Sequence, residues 1–349
     1  MLVFLSYFPD ETNIRDGMSQ RIFHIDNLFQ KDKRIYINAD LKKYLKKEII
    51  INGDITIINC NPLMHFFDII TILRNAKSIY IHSVYNVLYL FLHILLIKNN
   101  YIIDLHGIVP EENKLANNNI KYHLYNLCEH MIFRKISVAI CVTNAMVMHY
   151  KVKFNSSTVK YAVFSILPDT ISKIKNIESL QNNEINVIYS GNTQKWQNID
   201  LMIQCIKANL YNNINYIILT NELNKMNEQI EIQIPNSKSK RIKVLSVSPD
   251  ELYKYYEKAH YGFILRNDIA VNRVACPTKL IEYMSYGIIP IVISPKIGDF
   301  ESYGFEYVNS DVDLKNLTAR KSKKNSEIIH LIKSTNENTD IRKITLTEH

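Results

Sequence analysis

The sequence predicts an α/β fold built from two domains, each with a mainly parallel sheet covered by helices. Short β-branched and aromatic runs alternate with segments of helical periodicity, which favours parallel strands joined by crossover helices. A polar stretch at 170–186 interrupts this rhythm once. The 349 residues, 47% of them hydrophobic, suffice for two cores of ordinary size. We predict a first domain at 1–168, a linker at 169–186, a second domain at 187–325 and a tail at 326–349.

In the first domain, runs rich in Ile, Val and Tyr predict strands at 2–5, 35–37, 55–58, 78–82, 101–104 and 139–143. Apolar residues three or four positions apart predict helices at 19–29, 65–73, 85–97 and 119–133. The most apolar run, 87–97, is much shorter than the roughly 20 residues of a membrane span. We interpret it as a buried or interfacial helix.

In the second domain the same patterns predict strands at 187–191, 216–219, 242–245, 261–265 and 288–293. Helices are predicted at 199–208 and 249–259, and another begins at 277. Apolar residues recur near the end of the chain and predict a last helix there, at Ile328, Ile329, Leu331 and Ile332.

The net charge of +8 suggests an anionic partner: nucleic acid, a membrane surface or a phosphorylated substrate. The sequence contains no RNA-binding, recognition-helix or zinc signature, so we expect no nucleic-acid partner. The charge is dispersed except at 320–324, and both a solvated basic surface and attraction to a membrane remain open. Five scattered cysteines without a Cys-x-x-Cys pair indicate a reducing compartment. The first residues do not resemble a signal peptide, and we expect a cytoplasmic protein. From the basic charge and the apolar run 87–97 we also expect peripheral association with the cytoplasmic face of the inner membrane.

The segment 276–290 predicts one short helix followed by a buried strand. Pro277 suits the first helical position, and Leu280, Ile281 and Met284 share one face. Gly287 suits the helix C-terminus. The start of such a helix offers unpaired N–H groups and the positive end of its dipole, which together attract an anion.

Three polar residues in this helix extend the anion site. Thr278 supplies a hydroxyl and Lys279 an ammonium group in the first turn. A cation there opposes the helix dipole, and a bound phosphate would explain its presence. Glu282 lies one turn further on, where its carboxylate can accept hydrogen bonds from sugar hydroxyls. A capped core helix with a solvated Lys and Glu is the alternative interpretation.

Two other segments follow predicted strands, at the sheet edge where open α/β proteins bind ligands. Asp104-Leu105-His106-Gly107 ends one strand, and Asp104 and His106 point the same way if the chain stays extended. They could also simply close a turn. Gly191 opens the turn 191–198, which is neither a Gly-x-Gly-x-x-Gly nor a P-loop sequence, so ordinary dinucleotide or ATP binding is disfavoured.

The motif Pro277-Thr278-Lys279-Leu280-x-Glu282-Tyr283-Met284, with Gly287 and the Asp104-x-His106-Gly107 segment, resembles GT-B glycosyltransferases of the group-1, family 4-like branch found in bacterial surface-polysaccharide synthesis. This resemblance implies two Rossmann-like domains facing across a cleft. The C-terminal domain would bind the nucleotide sugar, and the last helix would cross back to the first domain.

The resemblance also implies roles for individual residues. Glu282 would hold the ribose, the turn before it would receive the diphosphate, and His106 would face the donor sugar. The implied catalytic residues are His106, Asp104 and Gly17. The implied donor-binding residues are Gly191, Lys195, Thr278, Lys279, Leu280, Glu282, Arg266 and Asn272. Arg21 and Glu111 are placed on the acceptor side.

Two positions depart from the family pattern. Val274 stands where many relatives have a second Glu, and Asn192 stands where many have an Arg. Contact to the donor sugar would then come from Arg266, Asp268, Asn272 or backbone amides.

The function implied by the resemblance is transfer of a sugar from a nucleotide-diphosphate sugar to a cell-surface polysaccharide, a lipid-linked sugar or another glycan acceptor. Retention of configuration is implied, and we expect neither a metal nor a cofactor. Asp311-Val312-Asp313 fits a metal-binding pattern of other glycosyltransferases, but we interpret it as a loop or helix-start feature. A sugar-nucleotide epimerase of the same fold and a non-catalytic nucleotide-sugar binder are the alternatives.

Overall fold

A computed structural model describes residues 1–10, 17–155, 158–168, 184–210, 213–235 and 241–347. Over these ranges the chain forms two compact α/β units. Unit 1 contains residues 1–165 and 335–349, and unit 2 contains residues 166–334. Most of the predicted linker, 169–183, lies outside the described residues.

Unit 1 alternates strands and helices along the chain, with one hairpin near its start. Its strands are β1 (Leu2–Leu5), β2 (Arg34–Ala39), β3 (Glu48–Asn52), β4 (Ile55–Cys60), β5 (Ser78–His82), β6 (Tyr101–Leu105), β7 (Ile136–Cys141) and β8 (Lys160–Val163). Its helices before residue 166 are α1 (Gly17–Asn27), α2 (Phe66–Arg74), α3 (Tyr85–Tyr89), α4 (Phe91–Leu96), α5 (Val109–Leu115), α6 (Asn119–Ile132) and α7 (Asn144–Phe154).

The unit 1 sheet has the order β3-β4-β2-β1-β5-β6-β7-β8. All its neighbouring strands pair in parallel except β3 and β4, which form an antiparallel hairpin. The central strand β1 is fully buried. Phe4 on that strand stacks on Tyr36 with ring centroids 4.7 Å apart. Because β1, β5 and β6 are parallel and joined by crossover helices, their carboxyl ends lie at the same edge of the sheet.

Unit 2 repeats the alternation with a smaller sheet. Its strands are β9 (Ile185–Ser190), β10 (Ile214–Leu219), β11 (Ile242–Leu245), β12 (Tyr261–Ile264), β13 (Ile289–Val292) and β14 (Val308–Asn309). Its helices are α8 (Ile199–Ala208), α9 (Leu223–Gln233), α10 (Leu252–Tyr256), α11 (Ala270–Arg273), α12 (Thr278–Ser285) and most of α13 (Lys323–Asn338), which ends within unit 1. The last helix, α14 (Ile341–Leu346), belongs to unit 1.

The strands of the unit 2 sheet are all parallel and have the order β11-β10-β9-β12-β13-β14. The chain first adds β10 and β11 on one side of β9 and then β12, β13 and β14 on the other, so the strand order reverses between β9 and β12. These two strands pair only at Tyr261–Val187 and Gly262–Ile188, so their carboxyl ends diverge. Open α/β sheets bind ligands in the crevice at such a reversal.

Among the local predictions that differ from the structure, three concern helices. The predicted helix 85–97 is two helices, α3 and α4, because Leu90 leaves helical backbone values at φ −107° and ψ 14°. Pro277 precedes α12 as its N-cap residue instead of occupying the first helical position. The predicted helix 249–259 is a 3₁₀ turn at Pro249–Glu251 followed by the short α10.

Candidate functional site

The crevice between β9 and β12 collects most of the predicted donor-binding residues. Gly191 directly follows β9, Arg266 follows β12, and α12 begins at Thr278. Tyr283 on α12 joins these parts, because its hydroxyl accepts a hydrogen bond of 2.8 Å from the Ser190 backbone N–H. That contact holds α12 against the end of β9, where β12 has already diverged.

Gly191 leaves space for the side chain of Lys279. A Cβ added to Gly191 would lie 1.7 Å from Lys279 Nζ and 3.0 Å from the Tyr189 hydroxyl. The ammonium group lies 5.3 Å from the centre of the Tyr189 ring, at cation–π distance. Desolvation, with the nearby charge of Arg266, lowers the pKa of Lys279 to about 8, although Glu282 acts in the opposite direction. Any side chain larger than hydrogen at residue 191 would displace this cation.

Arg266 brings a second cation to the same crevice. Its side chain is half-buried, and Nη1 donates a hydrogen bond of 3.2 Å to Asn272 Oδ1. Burial lowers the pKa of Arg266 below its usual value. Over the described ranges neither Arg266 nor Lys279 forms an ion pair with a carboxylate. Two half-buried cations without an anionic partner favour an anionic ligand.

Glu282 lies one turn into α12 and is held by Tyr256. The Tyr256 hydroxyl donates a hydrogen bond of 3.1 Å to Glu282 Oε2. Burial raises the pKa of Glu282, while this hydrogen bond and the charge of Lys279 lower it. The carboxylate retains acceptor sites for other hydroxyl groups.

The remaining predicted donor-binding residues differ in exposure. Lys195 is exposed in the 3₁₀ turn Lys195–Gln197. Leu280 is fully buried in the interior, so its side chain supports α12 and does not line the crevice. The turn after Gly191 is anchored by Glu222, whose carboxylate accepts hydrogen bonds from the Thr193 N–H (2.5 Å) and hydroxyl (3.0 Å). Val274, one of the two positions that depart from the expected family pattern, is buried.

A buried polar cluster lies in unit 1 at the ends of β5 and β6. Asp104 accepts two hydrogen bonds from Arg21: Nε to Oδ2 at 3.0 Å and Nη2 to Oδ1 at 2.9 Å. Two imidazoles approach Asp104 Oδ2, with His106 Nε2 at 3.2 Å and His82 Nδ1 at 3.5 Å. Although burial alone would raise the pKa of Asp104, Arg21 and His106 hold it well below its usual value. Asp104 is therefore ionised at neutral pH.

The structure gives the surroundings of Arg21 and Gly17. Arg21, which the resemblance places on the acceptor side, has 1% of its side chain exposed, and its guanidinium group faces Asp104. Gly17 is the first residue of α1, and a Cβ there would meet nothing within 4 Å. The loop before it, 11–16, lies outside the described residues.

Glu111 belongs to a second charged network in unit 1. Lys153 Nζ lies 2.9 Å from Glu111 Oε1 and 2.7 Å from Oε2 of the fully buried Glu129. The Tyr150 hydroxyl donates to Glu129 at 3.0 Å. These contacts fix the first turn of α5. Glu112, the residue after Glu111, packs against Gly107, and a Cβ added to Gly107 would lie 2.0 Å from Glu112 Oε1.

His82 is a residue of the cluster around Asp104 that sequence reasoning missed. It ends β5 in register with Asp104 on β6, is fully buried, and burial lowers its pKa to about 4. The available signal was its position, because a polar residue ending one strand beside a polar residue ending the next suggests contact at the sheet edge.

No protein-family model matches the chain, and no curated protein matches it in sequence. Several solved structures resemble it in fold over nearly its whole length. α,α-Trehalose 6-phosphate synthase from Burkholderia multivorans has a TM-score of 0.62 at 10% identity, covering 99% of this chain and 98% of that one. WaaG, a glycosyltransferase involved in lipopolysaccharide biosynthesis, has a TM-score of 0.59 at 10% identity, covering 99% and 97%. HepE of Anabaena, solved with UDP and glucose, has a TM-score of 0.61 at 12% identity, covering 97% and 98%. The chain has the two-domain α/β fold of the GT-B glycosyltransferases.

Proposed function

We propose that the protein is a glycosyltransferase that uses a nucleotide-diphosphate sugar as donor. The observation that carries this proposal is the convergence of Lys279 and Arg266 at the divergence of β9 and β12. Both cations are half-buried, and neither forms an ion pair with a carboxylate among the described residues. A diphosphate supplies the negative charge that these cations lack. Glu282, one turn away, is placed to accept hydrogen bonds from the ribose attached to it.

The same groups suit the chemistry of transfer. As the bond to the sugar breaks, negative charge grows on the diphosphate that leaves. Lys279, Arg266 and the N-terminal amides of α12 would offset that charge without a metal ion. Retention of configuration is part of the proposal through the sequence resemblance alone. We propose a cell-surface polysaccharide, a lipid-linked sugar or another glycan as acceptor.

A uridine nucleotide is the first donor type to test. HepE was solved with UDP and glucose, and the pneumococcal O-GlcNAc transferase GtfA, with the same fold at 14% identity and a TM-score of 0.54, was solved with UDP and GlcNAc. These ligands belong to those proteins and give the starting panel for this one: UDP, UDP-glucose and UDP-GlcNAc, followed by GDP sugars.

Donor binding is tested by calorimetry with the variants Lys279→Met and Glu282→Gln. Each is expected to weaken binding of the preferred nucleotide roughly 10- to 100-fold, since a hydrogen bond to a charged group contributes about 1.5–3 kcal/mol. Lys207→Met is the matched control, because Lys207 is exposed near the C-terminal end of α8, far along the helix from the crevice. Unchanged affinity in both site variants would reject the proposed donor site.

Turnover then separates the alternatives. A transferase passes the sugar to a glycan acceptor, and an epimerase instead isomerises the UDP sugar in the absence of acceptor. Nucleotide binding without either product, across the donor panel and a glycan acceptor library, would support the non-catalytic binder that Val274 makes conceivable.

We also propose that unit 1 associates with an anionic membrane surface. Large exposed apolar side chains lie on three neighbouring helices of unit 1, and we call this surface the apolar face. It is formed by Leu63, Met64 and Phe67 around the start of α2, Leu92, Leu95 and Leu96 on α4, and Ile120, Leu124 and Leu127 on α6. The Phe66 and His93 rings lie 4.4 Å apart and join α2 to α4. A groove between α4 and α6 has basic residues along it, including Arg134 and Lys135. Within the described residues, no helix has the length and apolarity to cross a bilayer.

A further inference from the structure

The cluster around Asp104 contains more hydrogen-bonding groups than a buried ion pair needs. Arg21 Nε and Nη2 already occupy one site on each carboxylate oxygen. His82 and His106 nevertheless both approach Oδ2. Because both oxygens of an ionised carboxylate are acceptors and it has no donor, the nitrogens that face it are favoured as N–H groups.

This constraint applies most clearly to His106. Its Nε2 lies 3.2 Å from Asp104 Oδ2 and is buried, without a hydrogen bond to any described group in this state. A lone pair on Nε2 would face the carboxylate and be repelled by it. Hydrogen bonds of this kind are often poorly aligned in a ligand-free protein and tighten when the ligand binds. The proton of neutral His106 therefore belongs on Nε2.

The second ring nitrogen of His106 is then an acceptor. The side chain keeps 12% of its surface exposed, and Nε2 contributes none of it. Nδ1 is the nitrogen left to meet a ligand, and its lone pair would accept a hydrogen bond from a hydroxyl group. His106 in the opposite tautomer would instead donate.

The same three side chains, His82, Asp104 and His106, lie close enough to hold a metal ion. The guanidinium group of Arg21 makes a cation less suitable there, because it already binds both carboxylate oxygens and would lie close to a second positive charge. Arg21 supplies the counter-charge within the protein.

We propose that the Arg21–Asp104 ion pair is a positioning unit that fixes His106 as the Nε2–H tautomer, so that Nδ1 accepts a hydrogen bond from a sugar hydroxyl. His82, neutral and buried beside the same oxygen, completes the wall of this unit. The inference rests on the proposed function only in naming a sugar as the ligand. Arg21 and Asp104 act through His106 and do not touch the substrate.

The tautomer can be measured directly on the ligand-free protein. The experiment is ¹⁵N NMR of protein with ¹⁵N-labelled histidine, recorded at a pH high enough for imidazole rings to be neutral. His106 should show a protonated Nε2 and an unprotonated Nδ1. His130 is the internal control with the opposite expectation, because its Nδ1 lies 2.7 Å from the Asn126 carbonyl oxygen and must be the donor there. A protonated Nδ1 in His106 would overturn the proposal, whatever the donor assays show.

A matched pair of substitutions tests which nitrogen meets the ligand. The amide of Asn reaches about as far as Nδ1, and the amide of Gln reaches about as far as Nε2. With Nδ1 as the acceptor, His106→Asn should keep more transferase activity than His106→Gln, by several-fold in kcat/KM. Equal losses, or the reverse order, would contradict the proposal. Thermal unfolding of both variants checks that the comparison concerns folded protein.

The positioning role and the metal alternative are separated in the same spectra. Asp104→Asn should let His106 populate both tautomers, and if that variant does not fold, the wild-type tautomer remains decisive. Adding Mn²⁺ to the wild-type protein should leave the His82 and His106 signals unbroadened. Selective broadening of both would mean that the cluster binds a divalent cation, and would overturn the assignment of Arg21 as its counter-charge.

Discussion

At the scale of single residues, the pKa of Lys279, in the motif at 277–284, leads to a measurable pH dependence of ligand binding. Its ammonium group fills the space left by Gly191, and burial with the charge of Arg266 lowers its pKa to about 8. The group is charged below that pH and neutral above it. A nucleoside diphosphate should therefore bind more weakly as the pH rises through about 8, because the ligand loses a cationic partner.

Calorimetric titration of UDP across this pH range tests the prediction. Lys279→Met carries no charge at any pH and should bind weakly with a flat pH profile. A wild-type profile that is flat through pH 8, or one that persists in Lys279→Met, would show that another group titrates.

Residue identity predicted some of the site and missed the rest for physical reasons. Thr278, Lys279 and Glu282 fall on one helix, so their spacing alone brings them together. Arg21 and Asp104 are 83 positions apart, and nothing in the local sequence announces that they pair. Arginine is usually exposed, and the burial of Arg21 depends on a carboxylate contributed by another element.

At the scale of elements, the packing of α12 against β12 depends on a glycine. A Cβ at Gly262 would lie 2.5 Å from Cδ2 and Cε2 of the buried Tyr283 ring and 3.2 Å from Ile288 Cγ2. The ring has little freedom to move, because its hydroxyl is bound to the Ser190 N–H. Gly262→Ala should lower the free energy of unfolding by about 1–3 kcal/mol through overpacking.

Chemical denaturation measures this change, with Gly17→Ala as the matched control. A Cβ at Gly17 meets nothing within 4 Å, and that substitution should stay within about 0.5 kcal/mol of wild type. Equal stability of the two variants would contradict the packing argument. Gly262→Ala should also weaken UDP binding, since displacing Tyr283 moves α12 away from the end of β9.

Secondary-structure prediction succeeded where the hydrophobic periodicity and the turn-forming residues indicated the same boundaries. The strand at 2–5 and the helix at 199–208 have the predicted bounds. The hairpin of β3 and β4 was missed, although Asn52-Gly53 between two isoleucine-rich runs is a strong turn signal, and Gly53 has φ +58°. The isoleucines of β3 are exposed, so the strand lacks the alternation that burial imposes on sequence. Nothing in the sequence marks the break at Leu90, since Val87, Leu90 and Ile94 keep a helical spacing across it.

At the scale of the whole molecule, the two-domain α/β organisation follows from the sequence because each unit repeats the strand–helix rhythm. The discontinuous membership of unit 1, which includes 335–349, follows from contacts distant in sequence, such as Arg342 with Asp32. An exposed apolar surface is harder to predict from the sequence. The pattern at 87–97 predicted a buried or interfacial helix, and only the structure relates it to α2 and α6.

The apolar face gives a prediction about membrane binding by this chain. Leucine side chains that insert into the interfacial region of a bilayer each contribute hydrophobic free energy, while the basic residues along the α4–α6 groove add attraction to anionic lipids. The protein should therefore sediment with vesicles of phosphatidylcholine and phosphatidylglycerol. Salt should weaken this association without abolishing it, because only the electrostatic part is screened.

The double variant Leu92→Glu and Leu96→Glu should lose vesicle binding, since it places two charges in the centre of the apolar face. Val152→Glu is the matched control, because Val152 is 80% exposed on α7 of the same unit but lies outside that face. Equal sedimentation of the double variant and the control would mean that the apolar face is not the contact surface. A wild-type protein that stays in the supernatant with anionic vesicles at low salt would contradict membrane association itself. Donor binding should be the same in all three proteins, because the substituted residues belong to unit 1 and the crevice proposed to bind the donor belongs to unit 2.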